Sequence, residues 1–283
     1  MNSDWKPKTI LIATDFSKGS RQALAIAGRL ALHYGVGLKI VHVFTLVATH
    51  RYAVPVGWMI EDLRNRARKQ LQQVGRRLKK AGCSVETRLV DTVNPPAGEI
   101  LGSIASCDDP LIVLGTHSHD RVERFLVGST AEEVLRNTDW PVITVGPNVQ
   151  SSFGLGPLNR LMLATDLTER SLVPIHLLSG LLEKNAELTV VHVSSPDDEI
   201  LSANWMEPLR SRIAKQLGKD TVRFEHYVAE NCAQKISEIA KNQDIDLLLI
   251  GLHPGKQFSA HIRPKIGFQI IMSAPCPVLS IRS

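Results

Sequence analysis

The sequence predicts an α/β protein built from two tandem, doubly wound parallel-sheet domains. Two observations predict it. Short runs of Val, Ile and Leu alternate with helical patterns along the chain, the signature of parallel strands buried on both faces. The whole series is also written twice. "ILIATDFSKGS" at 10–20 recurs as "LMLATDLTERS" at 161–171, "IVHVF" at 40–44 as "VVHVS" at 190–194, "LIVLGTH" at 111–117 as "LLLIGLH" at 247–253, and "PVITV" at 141–145 as "PVLSI" at 277–281. Four blocks in one order, separated by far more than a solenoid repeat, mean two domains. The stretch "GPNVQSSFGLGP", Gly146 to Pro157, is rich in Gly, Pro and Ser and reads as the linker between residues 1–147 and 158–283.

In the first half an apolar strand, Thr9–Ala13, ends at Thr14 and Asp15. A helix follows, with Ser17 or Ser20 at its start and Ala23, Ala27, Leu30 and Ala31 on one face. A second strand spans Leu38–Phe44. After a long excursion to Glu61 comes a basic helix ending near Gly82, with Leu63, Leu71, Val74 and Leu78 as its apolar stripe. A third strand covers Ser84–Val90, a helix Ala97–Ser106, a fourth strand Leu111–Leu114, a last helix Thr130–Asn137 and a fifth strand Val142–Val145.

At 283 residues, 43% apolar and 22% charged, the chain has the composition of a soluble globular protein. No stretch approaches the roughly 18 apolar residues of a membrane span. The polar start, Met1 to Lys8, lacks the apolar segment of a secretory signal. Cys83, Cys107, Cys232 and Cys276 show neither CxxC nor metal spacing, and read as reduced thiols of a cytoplasmic protein. The net charge of +5 lies in residues 1–150, with 19 Lys+Arg against 14 Asp+Glu; residues 151–283 carry 14 of each. Eight of those cations, Arg64 to Lys80, fall on the basic helix. Without interleaved aromatic residues this reads as a solvated outer face, and neither nucleic acid nor a membrane is expected as a partner.

Ligands of such sheets sit beyond the carboxyl ends of the strands. Three segments leave those ends in the first half: Thr14-Asp15, His42-Val43, and Gly115 to Ser118. Asp15 suits either a turn carboxylate or an acceptor for a ribose hydroxyl or adenine amino group. Val43 is either sheet core or an apolar wall. Gly115 allows close backbone approach to an anion, and Gly128-Ser129-Thr130 opens a helix whose first N–H groups favour phosphate. Together these favour a nucleotide. His42 and His192 read as satisfied strand histidines; His117, His119, His253 and His261 read as solvated loop residues, and no metal site is expected. No GxSxG, HExxH or Walker motif is present, so no catalytic set is assigned.

These residues resemble the universal stress protein family, with its "ATDFS"-like strand end, its "VHV" strand and its G-x2-G-x9-G-[ST] loop. The resemblance covers both halves. It implies the adenine nucleotide alpha hydrolase-like fold. It implies an ATP site, with magnesium, in the first half: Thr14, Asp15 and Val43 toward adenosine; Gly115, Ser118, Gly128, Ser129 and Thr130 toward the phosphates. Ser118 stands where the family pattern has glycine. In the second half Asp166, Val193 and Gly251 are kept, but Pro254, Pro264 and Lys265 replace the phosphate-loop residues, so that pocket is expected to be empty or altered. The implied role is an ATP-binding regulatory module with a protein partner that the sequence does not name. The alternatives are a scaffold that binds no nucleotide and an enzyme on another small anionic ligand. Pro141–Val145 and Pro277–Ile281 are the matching edges through which one chain would form a pseudo-twofold pair; association of two chains stays open.

Overall fold

The computed structural model describes residues 5–45, 57–116, 128–149, 158–168, 171–175, 177, 186–196, 206–217, 222–252 and 266–282. They form two compact units, one holding the described part of 7–140, the other Trp5, Lys6 and the described residues from 141 onward.

The first unit runs β1 Thr9–Ala13, α1 Lys18–Tyr34, β2 Gly37–Thr45, α2 Gly57–Lys80, β3 Val85–Thr92, α3 Pro96–Ala105, β4 Pro110–Gly115 and α4 Ser129–Asn137. Its strands are all parallel, in the order β3-β2-β1-β4. The chain steps from β1 to β2 and β3 on one side, then returns to lay β4 on the other. The switch in strand order thus falls between β1 and β4. Ile10, Leu11, Ile12, Leu111, Ile112 and Val113 have no exposed surface, because helices cover both faces of these central strands. The α1 residues Ala23, Ala27, Leu30 and Ala31 are all buried, as their spacing predicts. The basic helix buries Ala67, Leu71 and Gly75; Leu63, Val74 and Leu78 are half-buried.

The second unit contains β5 Val142–Val145, β6 Arg160–Thr165, β7 Glu187–Ser194, α5 Met206–Leu217, β8 Val222–Val228, α6 Cys232–Asn242, β9 Leu247–Leu252, α7 Ile266–Ser273 and β10 Val278–Arg282. The order is β5-β10-β9-β6-β7-β8, parallel from β10 to β8. β5 closes the first sequence repeat, yet it packs in this unit. It pairs antiparallel with β10, with Ile143 opposite Leu279. These are the two edges expected to pair, and Val142, Ile143 and Val145 are buried there. The residues just after β5 are not a free linker. Val149 is buried, and the Asn148 side-chain amide donates to the carbonyls of Met272 and Ser273 at 3.2 Å, capping the end of α7. The remainder of the expected linker, 150–157, lies outside the described residues.

Candidate nucleotide site

The chain leaves β1 through a tight polar turn. Thr14 Oγ1 accepts from the Phe16 N–H at 3.1 Å and donates to Ser20 Oγ at 3.1 Å. Asp15 Oδ1 accepts from the Ser17 N–H at 2.9 Å, and Ser17 caps α1 by accepting from the Ser20 N–H at 3.2 Å. Ser17, rather than Ser20, is therefore the cap. Phe16 pays for the turn with a φ of 61°. The second half repeats it. Leu167 has φ 65°, its N–H donates to Thr165 Oγ1 at 2.9 Å, and Asp166 Oδ1 accepts from the Thr168 N–H at 3.0 Å. Asp15 is thus a turn carboxylate, as one of its two readings had it, yet it remains exposed to solvent. Partial burial works against its charge, but hydrogen bonds from the Ser17 hydroxyl and N–H and from Ser20 outweigh it, holding the carboxyl below its usual range.

His42 on β2 hydrogen-bonds through Nδ1 to the Thr14 carbonyl at 2.7 Å, and its ring lies 4.5 Å from that of Phe16. A carbonyl only accepts, so Nδ1 carries the proton. Burial lowers the pKa of this ring, against the opposing pull of the Thr14 carbonyl and the Asp15 charge. His192 makes the same bond to Thr165, at 2.8 Å. Both are strand residues anchored through Nδ1 to a threonine carbonyl where the neighbouring strand ends.

Beyond the carboxyl ends of β1, β2 and β4 lies a cavity of about 180 Å³. Ala13, Val41, Val43, Ile100 and Leu114 give it apolar walls; Thr14, Asp15, Ser20 and Thr116 give it a polar side. Its remaining wall is Gly128, Ser129, Thr130 and Ala131, the start of α4. Every lining residue belongs to the first unit. The structure therefore gathers Thr14, Asp15, Val43, Gly115, Gly128, Ser129 and Thr130 around one space at the switch in strand order. Sequence reading missed Val41, Pro96 and Ile100. Val41 reads as plain strand core, and Pro96 and Ile100 read as an ordinary helix start and its apolar face.

The two glycines have different reasons. A Cβ on Gly115 would lie 2.8 Å from the Gly19 carbonyl carbon and 2.8 Å from the Ser20 nitrogen, so glycine is what lets α1 approach β4. Among the described residues a Cβ on Gly128 would meet only the Thr116 carbonyl, its oxygen at 3.4 Å, and the backbone there has φ −52°, open to any residue. The Gly128 N–H donates to that oxygen at 3.2 Å, closing the loop. Gly128 caps α4 with no side chain, so the cap residue itself offers no side-chain oxygen to the helix's first turn. By contrast α1 and α6 are capped by Ser17 and Asn231. Ser118, His117 and His119 lie outside the described residues, as do His253, Pro254, His261, Pro264 and Lys265 of the second half.

The universal stress protein family matches the chain twice, over residues 6–146 and 157–282. A universal stress protein of Methanocaldococcus jannaschii is 29% identical over 140 residues, covering 49% of this chain and 81% of its own. Among solved structures, a universal stress protein from Archaeoglobus fulgidus superposes with a TM-score of 0.76 at 19% identity, over 99% of this chain and 98% of that one. A Pseudomonas aeruginosa protein assigned to the same family gives 0.63 at 16% identity, over 99% and 95%. These structures share the fold, and the two family matches take up nearly the whole chain in tandem: it belongs to the universal stress protein family.

Proposed function

We propose that this protein is a cytoplasmic regulatory module of the stress response that binds ATP, with magnesium, in its first domain. The observation that carries the reading is the side-chain-free start of α4 opening onto a cavity at the carboxyl ends of β1, β2 and β4. Such a helix end presents unpaired N–H groups and the positive end of its dipole, which suit phosphate. Ser129 and Thr130 add hydroxyl donors. Val41, Val43 and Ile100 offer the apolar surface an adenine ring would bury, and Asp15 an acceptor for the ribose or the adenine amino group. Ser118 belongs to the phosphate loop in this reading. The two domains are taken as residues 1–147 and 158–283, the second serving to pack and pair rather than to bind.

Occupancy would favour one arrangement of the phosphate loop, and a partner protein would read it. Hydrolysis would be slow, since among the described residues lining the cavity the one carboxylate, Asp15, is engaged by its turn and assigned to adenosine. The test is calorimetry with ATP and magnesium on the wild type and on Gly128→Pro. The φ of −52° accepts proline, but the N–H given to Thr116 is removed. One site per chain, lost in the variant, is expected, with turnover well below the usual enzymatic range of about 1–1000 per second. A second reading, a scaffold that binds no nucleotide, draws on Gly115, which packing against α1 already explains. A wild type that shows no heat and carries no nucleotide would establish it.

A further inference from the structure

We infer that the outward face of α2 is a docking surface for an anionic lipid membrane, held by electrostatics and one aromatic anchor. Between Asp62 and Glu86 the chain carries eight cations and no acid. At about 100° per residue, Arg66, Lys69, Arg76, Arg77 and Lys80 fall within about 100° of one another. Ala67, Leu71 and Gly75, the buried residues, face the opposite way. All five cations are exposed. Arg66 pairs with Asp62 at 2.6 Å, while Lys69, Arg77 and Lys80 have no carboxylate partner among the described residues. Two exposed apolar side chains share this stripe. Trp58 is 73% exposed and Met59 is 42% exposed, and both fall on the cationic side of the helix at its first turn. From Trp58 to Lys80 the stripe runs ~33 Å along one line.

Asp62, at the start of the stripe and paired with Arg66, is its one acid; a solvated helix face needs neither an exposed tryptophan nor eight cations in a run unbroken by an acid. A phosphate-bearing lipid surface uses both. Lysine and arginine gain from the negative surface potential, and tryptophan settles at the headgroup level. The apolar face of α2 is already spent on the sheet, so the helix lies on the surface and does not insert. Affinity should therefore be modest and strongly salt-dependent. A single-stranded nucleic acid would want aromatic residues spaced among the cations, whereas here the only aromatic stands at one end. Low apolarity argues against a spanning helix, and does not bear on one lying in the interface. The surface is independent of nucleotide binding. The second half has no counterpart: α5 carries Arg210, Arg212 and Lys215 beside Glu207, and residues 151–283 are neutral.

The test is flotation of the full chain with phosphatidylcholine vesicles, with and without phosphatidylglycerol, at low and high salt. The expected result is flotation only with the anionic vesicles, reversed by salt. Each cation is worth about fivefold in binding, so a Lys69→Gln, Arg76→Gln, Lys80→Gln variant should bind about a hundredfold more weakly. Its unfolding midpoint should match the wild type, because all three residues are on the surface. Anionic vesicles should shift the tryptophan emission of the wild type to the blue, and Trp58→Ala should lose that shift. Absence of flotation, equal flotation with neutral lipid, or undiminished binding by the triple variant would each overturn the inference. Tight binding of an oligonucleotide without flotation would overturn it in favour of nucleic acid.

Discussion

Gly115, at the end of β4, and Gly19, in the first turn of α1, touch backbone to backbone. A single added methyl on Gly115 would stand 2.8 Å from the Gly19 carbonyl carbon. The glycine that most resembles a phosphate-loop residue in sequence is thus fixed first by helix packing. Gly128, which no described neighbour constrains so tightly, is the one whose identity the described packing does not require.

Gly115→Ala and Gly128→Ala should therefore separate folding from binding. The first forces α1 away from the sheet and should cost about 1–3 kcal/mol in denaturant unfolding. The second meets an ordinary contact at an open backbone angle and should cost about 1 kcal/mol or less. If Gly115→Ala unfolds at the wild-type midpoint, the close approach is not what holds the glycine there.

Phe16 and Leu167 hold the same left-handed angle in the two repeated turns, but among the described residues only Phe16 has an aromatic neighbour, His42. Releasing a non-glycine residue from that region returns up to about 1–2 kcal/mol. Leu167→Gly should raise stability by about 1 kcal/mol. Phe16→Gly should gain nothing, because the ring contact it gives up is worth about 0.5–1.5 kcal/mol. Equal gains from both would show that the Phe16–His42 contact contributes nothing.

Much of the fold was legible because the chain states it twice. Strand pairing follows the Val/Ile/Leu runs, and β5 falls on Val142–Val145 as read. Most other boundaries moved by one or two residues, as at β3, which runs to Thr92, but α2 starts at Gly57, inside the stretch to Glu61 that read as an excursion. The affiliation of β5 with the second unit was less legible, since a sequence repeat records descent along the chain and not which neighbour a strand pairs with. At the site, Thr14, Asp15 and the Gly128 turn stand out because polar and glycine residues break the apolar pattern at the strand ends, although Thr14 and Asp15 also build the turn into α1. Val41 and Ile100 could not be told from core by pattern, because an apolar pocket wall and an apolar core obey the same periodicity. Gly115 was legible as a special position, but its steric cause lies in α1, about a hundred residues earlier.

The cysteines should sort by burial. Cys276 is buried, and that burial pushes its thiol up to about 12; Cys83 is buried too and is likewise pushed up. Only the thiolate reacts. Under native conditions near neutral pH, a disulfide reagent should label Cys107 and Cys232, the two half-buried thiols, and reach Cys83 and Cys276 only on unfolding. Peptide mapping of the labelled native protein checks this; early label on Cys276 would mean that β10 and its surroundings open far more readily than their packing implies.

The pair His42 and Asp15 should give stability two separate pH windows with the same sign. Burial holds the folded pKa of His42 below its usual 6.5. The unfolded chain therefore takes the proton first, and stability is whole above 6.5 and falls as pH drops toward the folded value. Asp15 is held below its usual 3.8 by the hydrogen bonds of its turn. Its contribution is present above 3.8 and is lost as pH falls through the folded value. Urea unfolding across pH should show two declines, one below about 6.5 and one below about 4. His42→Gln should flatten the first and leave the second, and Asp15→Asn should flatten the second. A wild-type slope near pH 6 that survives His42→Gln would place the titrating group elsewhere. It would also remove burial as the reason the ring stays neutral.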